Sequence, residues 1–474
     1  MSAIQHIATG SLGKVWSCVI GSVSVCPAMT TMNPTELRGP SPPARVIAVD
    51  VLRGLVIFLL IPDLLGGFSF YKMAALYPDN AIWGWLGQQF HHVPWSGAAI
   101  WDFVMPVFIF LVGVAIPYSY QNRRARGDSH GQLLIHAIIR AVALCLLGLL
   151  IQYEPYCRLE ELLPFLILFL GLPLTEWSQR YLGIADKAKA YRYYNLLSVL
   201  ILSAVGIWMW QHYVQLHQYN FNQILTQIGL AYLAAFLLVR QRPVVQFAVA
   251  MIILAVHGAA FALFVPPPAL HQADAAFTGY FAHWNNGDNL AAVFDLWFMN
   301  LWPRAEPYVV NKHHTLVIIP LISSMLFGML VARHIMSTHD KRKLVYQLHA
   351  VALSAIMSGW LMSLSIFPLV KLMNTPSWII LSTGVALFLL AMMYWLCDVS
   401  GQTRWAIPFI VLGTNSVLLY FLASTQRWRI TKILGKFVEE EVLSRDPVME
   451  SLFVLGTFWI LALVLYRVGV FIRL

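Results

Sequence analysis

The stretch Ala98-Ala99-Ile100-Trp101-Asp102-Phe103-Val104-Met105-Pro106-Val107-Phe108-Ile109-Phe110-Leu111-Val112-Gly113-Val114-Ala115-Ile116-Pro117-Tyr118 decides the fold. A helix needs about 20 mostly apolar residues to cross the hydrocarbon layer of a bilayer. This stretch is that long and carries one charged side chain, Asp102. The same texture recurs on both sides of it. Apolar spans fall at roughly 46–66, 98–118, 134–152, 161–176, 194–210, 222–240, 244–265, 314–333, 346–367, 377–397, 405–424 and 451–471. The spans at 161–176 and 194–210 are short and closely flanked by polar residues, so either reads equally as re-entrant or interfacial.

The 474-residue chain is 59% hydrophobic and 11% charged, with a mean hydropathy of +0.67. Soluble domains carry about 25% charged residues, which excludes a water-soluble fold. Alternation at strand period is missing, which argues against a β-barrel. The sequence therefore predicts an all-α, polytopic transmembrane bundle of about 10–12 helices over residues 45–474. Residues 1–44 read as an N-terminal extension, disordered or untranslated if Met29 or Met32 is the true start. A signal-like segment at Val15–Met29 is the other reading.

The net charge of +9 sits in short loops between apolar spans, which is a topological signal and no nucleic-acid footprint. Arg123, Arg124, Arg126, Arg240, Arg242, Arg333, Lys341, Arg342 and Lys343 fall on one side. The positive-inside tendency then makes both termini cytoplasmic and puts loops 67–97, 266–313 and 425–450 outside. Cys18, Cys26, Cys145, Cys157 and Cys397 are scattered without metal-ligand spacing, so neither a disulfide framework nor a metal site is expected. No internal repeat is visible, which counts against an inverted-repeat transporter.

Ionisable residues inside membrane helices cost about 2.5–3.5 kcal/mol each on insertion scales and call for a reason. Asp50 and Arg53 are three apart, share a helix face near the inner end, and read as a self-neutralising pair. Asp63 lies about 20 Å further along, with no basic residue nearby in sequence, and reads as lining a polar cavity. His92 precedes Asp102 across a Pro94 and Gly97 break. An imidazole beside a buried carboxylate is the minimal equipment for general base catalysis, because the carboxylate fixes the tautomer and stabilises the imidazolium. A hydrogen-bonded histidine at the membrane interface is the plainer alternative. Asn415 could bridge neighbouring helices, and Lys371 and Lys312 could snorkel to the interface. His136, His257 and His349 read as structural.

Several segments together resemble a known family. Arg45-Val46-Ile47-Ala48-Val49-Asp50-Val51-Leu52-Arg53-Gly54 resembles the R-x-x-S-x-D-x-x-R-G signature of the heparan-α-glucosaminide N-acetyltransferase-like membrane acyltransferases. His92-Val93-Pro94-Trp95-Ser96-Gly97 with Asp102 through Phe108 is similar to that family's H-x-x-W-x-G…D-x-x-x-P-x-F segment. Gln223–Tyr232, Thr315–Gly328, Pro368–Lys371 and Trp405–Tyr420 also fit, so the resemblance runs in order over about residues 45–425. It is nearest the bacterial, NagX-type branch. Ala48 stands where the signature has serine, and the spans at 161–176 and 194–210 look like an insertion into a core of about ten helices.

The resemblance implies a catalytic histidine at His92, with Asp102 as the acidic residue of the same motif. It also implies acetyl-CoA as cytoplasmic donor and an amino sugar or glycan on the periplasmic side of a bacterial inner membrane as acceptor. Asp63, Asn415 and Lys371 are then candidates for acceptor binding, and Asp50 and Arg53 for a structural or cofactor-side role. Expected partners are acyl-CoA, the acceptor and the lipid bilayer, with a homodimer compatible with the sequence. The competing readings are a transporter for a small sugar, with Asp63, His92 and Asp102 as a proton-coupled site, and a non-catalytic scaffold.

Overall fold

A computed structural model describes residues 46–64, 66–153, 187–209, 211, 221, 223–265, 267, 275–301, 307–309, 314–437 and 446–470. The expected extension at 1–44 and the expected span at 161–176 lie outside them. In chain order the helices are α1 (Ile47–Leu60), α2 (Phe70–Leu76), α3 (Ala81–Gln89), α4 (Val104–Ala125), α5 (His130–Tyr153), α6 (Lys187–Met209), α7 (Ile224–Leu237), α8 (Pro243–Leu263), α9 (Leu290–Met299), α10 (Ile318–Ser337), α11 (Lys341–Ser365), α12 (Pro376–Met393), α13 (Ile407–Thr414), α14 (Ser416–Leu434) and α15 (Pro447–Val468). No strand occurs among the described residues. The chain is an all-α, multi-pass membrane protein.

Seven described helices are long and apolar enough to cross a membrane, and the pair α13–α14, bent by 69°, makes an eighth if it crosses as one. That is fewer than the eleven expected spans that fall on described residues. The shortfall has a physical shape. Helices α1 and α7 have 14 residues each, about 21 Å of rise against a hydrocarbon layer of about 30 Å. Helix α1 has no exposed residue, and α7 exposes Leu230 and Leu237 alone. Non-helical backbone at membrane depth is tolerated where it lines a cavity.

Local sequence explains where the helices begin. Pro243, Pro376 and Pro447 occupy first-turn positions of α8, α12 and α15, where a missing N–H costs nothing. Asp340 accepts from the Arg342 and Lys343 amides at the start of α11. Asp398 does the same for α1 from a distance, accepting from the Ile47 and Ala48 amides at 2.9 Å each. A carboxylate there complements the positive end of the helix dipole.

Tight crossings hold the bundle together. A Cβ on Gly54 would collide with the Phe409 carbonyl, and one on Gly413 with the Asp50 carbonyl, so α1 and α13 meet backbone to backbone. Gly113 and Gly328 do the same for α4 and α10. Without a hydrophobic drive between helices in lipid, such small-residue crossings supply dispersion contact. The Arg53 guanidinium donates to Ser416 Oγ at 2.6 Å, tying α1 to the start of α14.

The loops are more structured than the sequence suggests. The segment 67–97 holds α2 and α3, and 266–313 holds α9. Helix α14 continues to Leu434, into what reads as an external loop at 425–450. These segments share one end of the bundle: Trp95 Nε1 donates to the Trp284 carbonyl, the Gly97 amide to the Leu369 carbonyl, and Arg427 pairs with Asp63. At the opposite end Arg333 donates to the Val239 and Gln241 carbonyls.

Candidate active site

A cavity of about 570 Å³ opens where α1 and α7 stop short. This is within the range of small-molecule sites. Leu60 and Leu64 line it from α1 and the following turn, Gln223 and Gln227 from α7 and its start, and Trp378 and Ser382 from α12. Val317 to Ser324 form another wall, which gives a depth of about 10 Å along α10. His91, His92, Asp102 and Lys371 also line it.

Asp102 organises the loop that carries His92. It sits in a 3₁₀ turn, Ile100–Phe103, leading into α4, and its side chain is 1% exposed. Its Oδ2 accepts from the Ala99 amide at 3.0 Å and the Val93 amide at 3.5 Å. Its Oδ1 lies 2.7 Å from His92 Nδ1. One carboxylate thus holds both ends of the loop and the ring. Gly97 has φ +107°, the left-handed region that glycine enters without steric cost, and the loop turns back there. The His92 side chain is 43% exposed. Its Nε2 has no hydrogen-bond partner among the described residues.

The cavity mouth also receives Lys371. Its Nζ lies 3.0 Å from Asp102 Oδ1 and 2.9 Å from His92 Nδ1. The turn that delivers it is fixed on several sides. Asn374 takes φ 47° and donates through Nδ2 to the Val317 carbonyl at 2.9 Å. His257 Nε2 donates to the Met373 carbonyl at 3.2 Å, and Thr375 Oγ1 accepts from the Val370 amide. Val370 and Met373 are fully buried. Burial pulls the Lys371 ammonium below its ordinary value, against the opposing attraction of Asp102.

Of the residues singled out in the sequence, His92, Asp102 and Lys371 are brought together. Lys371 meets the His–Asp pair directly, where the sequence suggested acceptor binding or snorkelling. Asp63 does not line the cavity. It is 1% exposed, pairs with Arg427 at 2.9 Å and Lys72 at 3.7 Å, and accepts from Ser69 Oγ at 2.6 Å. Arg427 was out of sight because it comes from α14, far along the chain, whereas Lys72 stands in the next helix, α2, and corrects the expectation of no basic residue nearby. Asn415 is fully buried at the break between α13 and α14, and donates to the Val470 carbonyl at 3.2 Å. It does not line the cavity either. Asp50 and Arg53 lie on α1, away from the cavity lining.

The sequence reading missed His91, Trp378 and Tyr420 as cavity lining. It also missed a second imidazole–carboxylate pair, in which His314 Nδ1 lies 3.1 Å from Asp295 Oδ2. Asp295 belongs to α9, inside a segment that reads as a loop. The only sequence signal for it is a charged residue within the short apolar run Leu290–Met299.

No family model matches the chain. The chain is 27% identical over 126 residues to the Homo sapiens protein named heparan-alpha-glucosaminide N-acetyltransferase, covering 27% of this chain and 16% of that protein. It is 26% identical over 153 residues to the Mus musculus protein of the same name, covering 32% and 21% respectively. The match therefore spans less than a quarter of those relatives' own length. The similarity is distant and partial, and it is to proteins named as N-acetyltransferases.

Proposed function

We propose that this protein is a membrane acyltransferase that moves an acetyl or related acyl group from acyl-CoA to a sugar amine or hydroxyl. The observation that carries this reading is the His92–Asp102 contact of 2.7 Å at the mouth of the cavity, with no hydrogen-bond partner for Nε2 among the described residues. A proton on Nδ1 shared with Asp102 leaves a lone pair on Nε2, the form a general base needs. The acceptor heteroatom attacks the thioester carbonyl while its proton passes to Nε2. The carbon–sulfur bond then breaks, and the thiolate takes the proton from Nε2. Asp102 stabilises the positive charge that this proton brings to the site between the two steps.

The cavity suits both reactants. Its apolar wall, with Leu60, Met105, Val317 and Leu321, accepts an acyl chain and a pantetheine arm. Gln223, Gln227, Ser324 and Ser382 offer neutral hydrogen-bonding groups. The charge asymmetry of the loops supports a non-cytoplasmic side for the His92 end, with a periplasmic amino sugar or glycan as acceptor and cytoplasmic acetyl-CoA as donor. In a bacterial cell the membrane is the inner one. The distant similarity to proteins named N-acetyltransferases supports the same class of chemistry.

The test is His92→Ala in membranes supplied with labelled acetyl-CoA and glucosamine, with the wild-type protein alongside. Transfer is expected to fall by about 10²–10⁴-fold, the usual share of general acid–base catalysis. Undiminished transfer would remove His92 from the mechanism.

A further inference from the structure

The ammonium of Lys371 occupies a position that neutralising Asp102 does not require. It lies 3.0 Å from Asp102 Oδ1 and also 2.9 Å from His92 Nδ1, while Nδ1 and Oδ1 are 2.7 Å apart. The two side chains are its only polar partners among the described residues. A side chain that merely supplied positive charge would bind the carboxylate and stay clear of the imidazole.

Three polar atoms in a triangle this tight cannot all be satisfied in one protonation state. When Nδ1 carries a proton and donates it to Asp102, an ammonium at Nζ would face it donor to donor. A neutral amine would instead present a lone pair. When Nδ1 is bare, the ammonium can donate to both Nδ1 and Oδ1, and the imidazole proton then resides on Nε2. Going from the first arrangement to the second passes the Nδ1 proton to Nζ and takes up one further proton at Nε2. No heavy atom needs to move, and the pinned turn from Val370 to Thr375 would resist such movement.

We infer that Lys371 is the proton-holding partner of His92: its amine sets the imidazole tautomer and stores the Nδ1 proton during acyl transfer. This rests on the reading of His92 as the general base. The resting competent state has neutral Lys371, Nδ1–H donating to Asp102, and a free Nε2 lone pair. As the acceptor attacks the thioester, its proton goes to Nε2 and the Nδ1 proton goes to Nζ. The imidazole stays neutral and Lys371 becomes an ammonium against Asp102. When the carbon–sulfur bond breaks, the thiolate takes the Nε2 proton and the ammonium returns its proton to Nδ1. Protons balance, and the site ends as it began. A cationic Lys371 before reaction holds the opposite tautomer, with Nε2–H and no base.

The experiment is nitrogen NMR of the full chain, ¹⁵N-labelled at histidine and reconstituted in lipid nanodiscs. The His92 signals are assigned by their loss in His92→Gln. In the wild type, raising the pH is expected to convert Nδ1 from a bare to a protonated ring nitrogen as Lys371 loses its proton. In Lys371→Met the protonated Nδ1 should persist at every pH above the imidazolium titration. Lys371→Arg, which keeps the charge and cannot release it, should hold the bare Nδ1 and lower acyl transfer by about 10²-fold or more. An identical tautomer in the wild type and Lys371→Met at all pH values would overturn the inference. So would full activity in Lys371→Arg. His92→Ala in the same transfer assay separates the two claims. Loss of transfer there beside an unaltered Lys371→Met tautomer retires the lysine and keeps the base, whereas retained transfer retires the base itself.

Discussion

Among the described residues the protein holds two imidazole–carboxylate pairs that differ mainly in what can reach them. His92 and Asp102 are 2.7 Å apart, with side chains 43% and 1% exposed. His314 and Asp295 are 3.1 Å apart, with side chains 0% and 1% exposed. In each pair one carboxylate oxygen also accepts a backbone amide: Ala99 for Asp102 and Thr315 for Asp295. The second pair joins α9 to the start of α10 and fixes the wall that carries Val317. The first opens into a cavity and touches a lysine. Chemistry needs access as well as pairing, so the same motif serves as a brace in one place and as a candidate base in the other.

The comparison can be broken most sharply by removing one member of each pair. His92→Ala should cost about 10²–10⁴-fold in acyl transfer with little change in melting temperature, because its ring is part exposed. Asp295→Ala should do the reverse. It leaves the buried His314 without its acceptor, a loss of about 1–3 kcal/mol on the scale of buried groups left unsatisfied, read as a lowered thermal midpoint in detergent or nanodiscs. A protein equally stable after Asp295→Ala would show that the brace is dispensable.

A test of intermediate size concerns the frame. Gly328→Val puts a side chain against the Phe110 carbonyl, and overpacking of this kind costs about 1–3 kcal/mol. The expected outcome is a lower midpoint and a weakened wall opposite His92. The pH profile sharpens the comparison from the side of the lysine. Burial holds Lys371 below its ordinary 10.5, and the neutral form is the competent one, so transfer should rise with pH along a limb that Lys371→Met abolishes. The smallest effect belongs to Trp95→Phe. It removes the hydrogen bond to the Trp284 carbonyl, worth about 1 kcal/mol, and should loosen the His92 loop slightly while leaving the bundle intact.

The bundle was legible because crossing a bilayer imposes one length and one composition on every helix. Ten of the eleven expected spans that fall on described residues have one helix at the expected place; at 405–424 stand two, α13 and α14. The break at Asn415 was not legible, since Gly413-Thr414-Asn415-Ser416 reads as a polar point within a continuous apolar run. The short lengths of α1 and α7 were hidden as well. Leu64, just beyond α1, and Gln223, just before α7, line a cavity where the hydropathy pattern suggests more helix. At the site, His92 and Asp102 could be read together because ten residues separate them and the loop between them carries proline and glycine. Asp63 with Arg427, and His314 with Asp295, depend on distant parts of the chain meeting, which no local pattern records. Lys371 was visible as a charge at a helix boundary, but its contact with Nδ1 is a product of the fold.

The most direct measurement is site-resolved carbethoxylation of histidines by mass spectrometry, with residual acyl transfer followed in the same samples. If His92 is the reacting base, its modification should rise in step with the loss of transfer, acetyl-CoA should protect it, and His314 should stay unmodified in the folded protein. Full transfer from protein whose His92 is completely carbethoxylated would contradict the account.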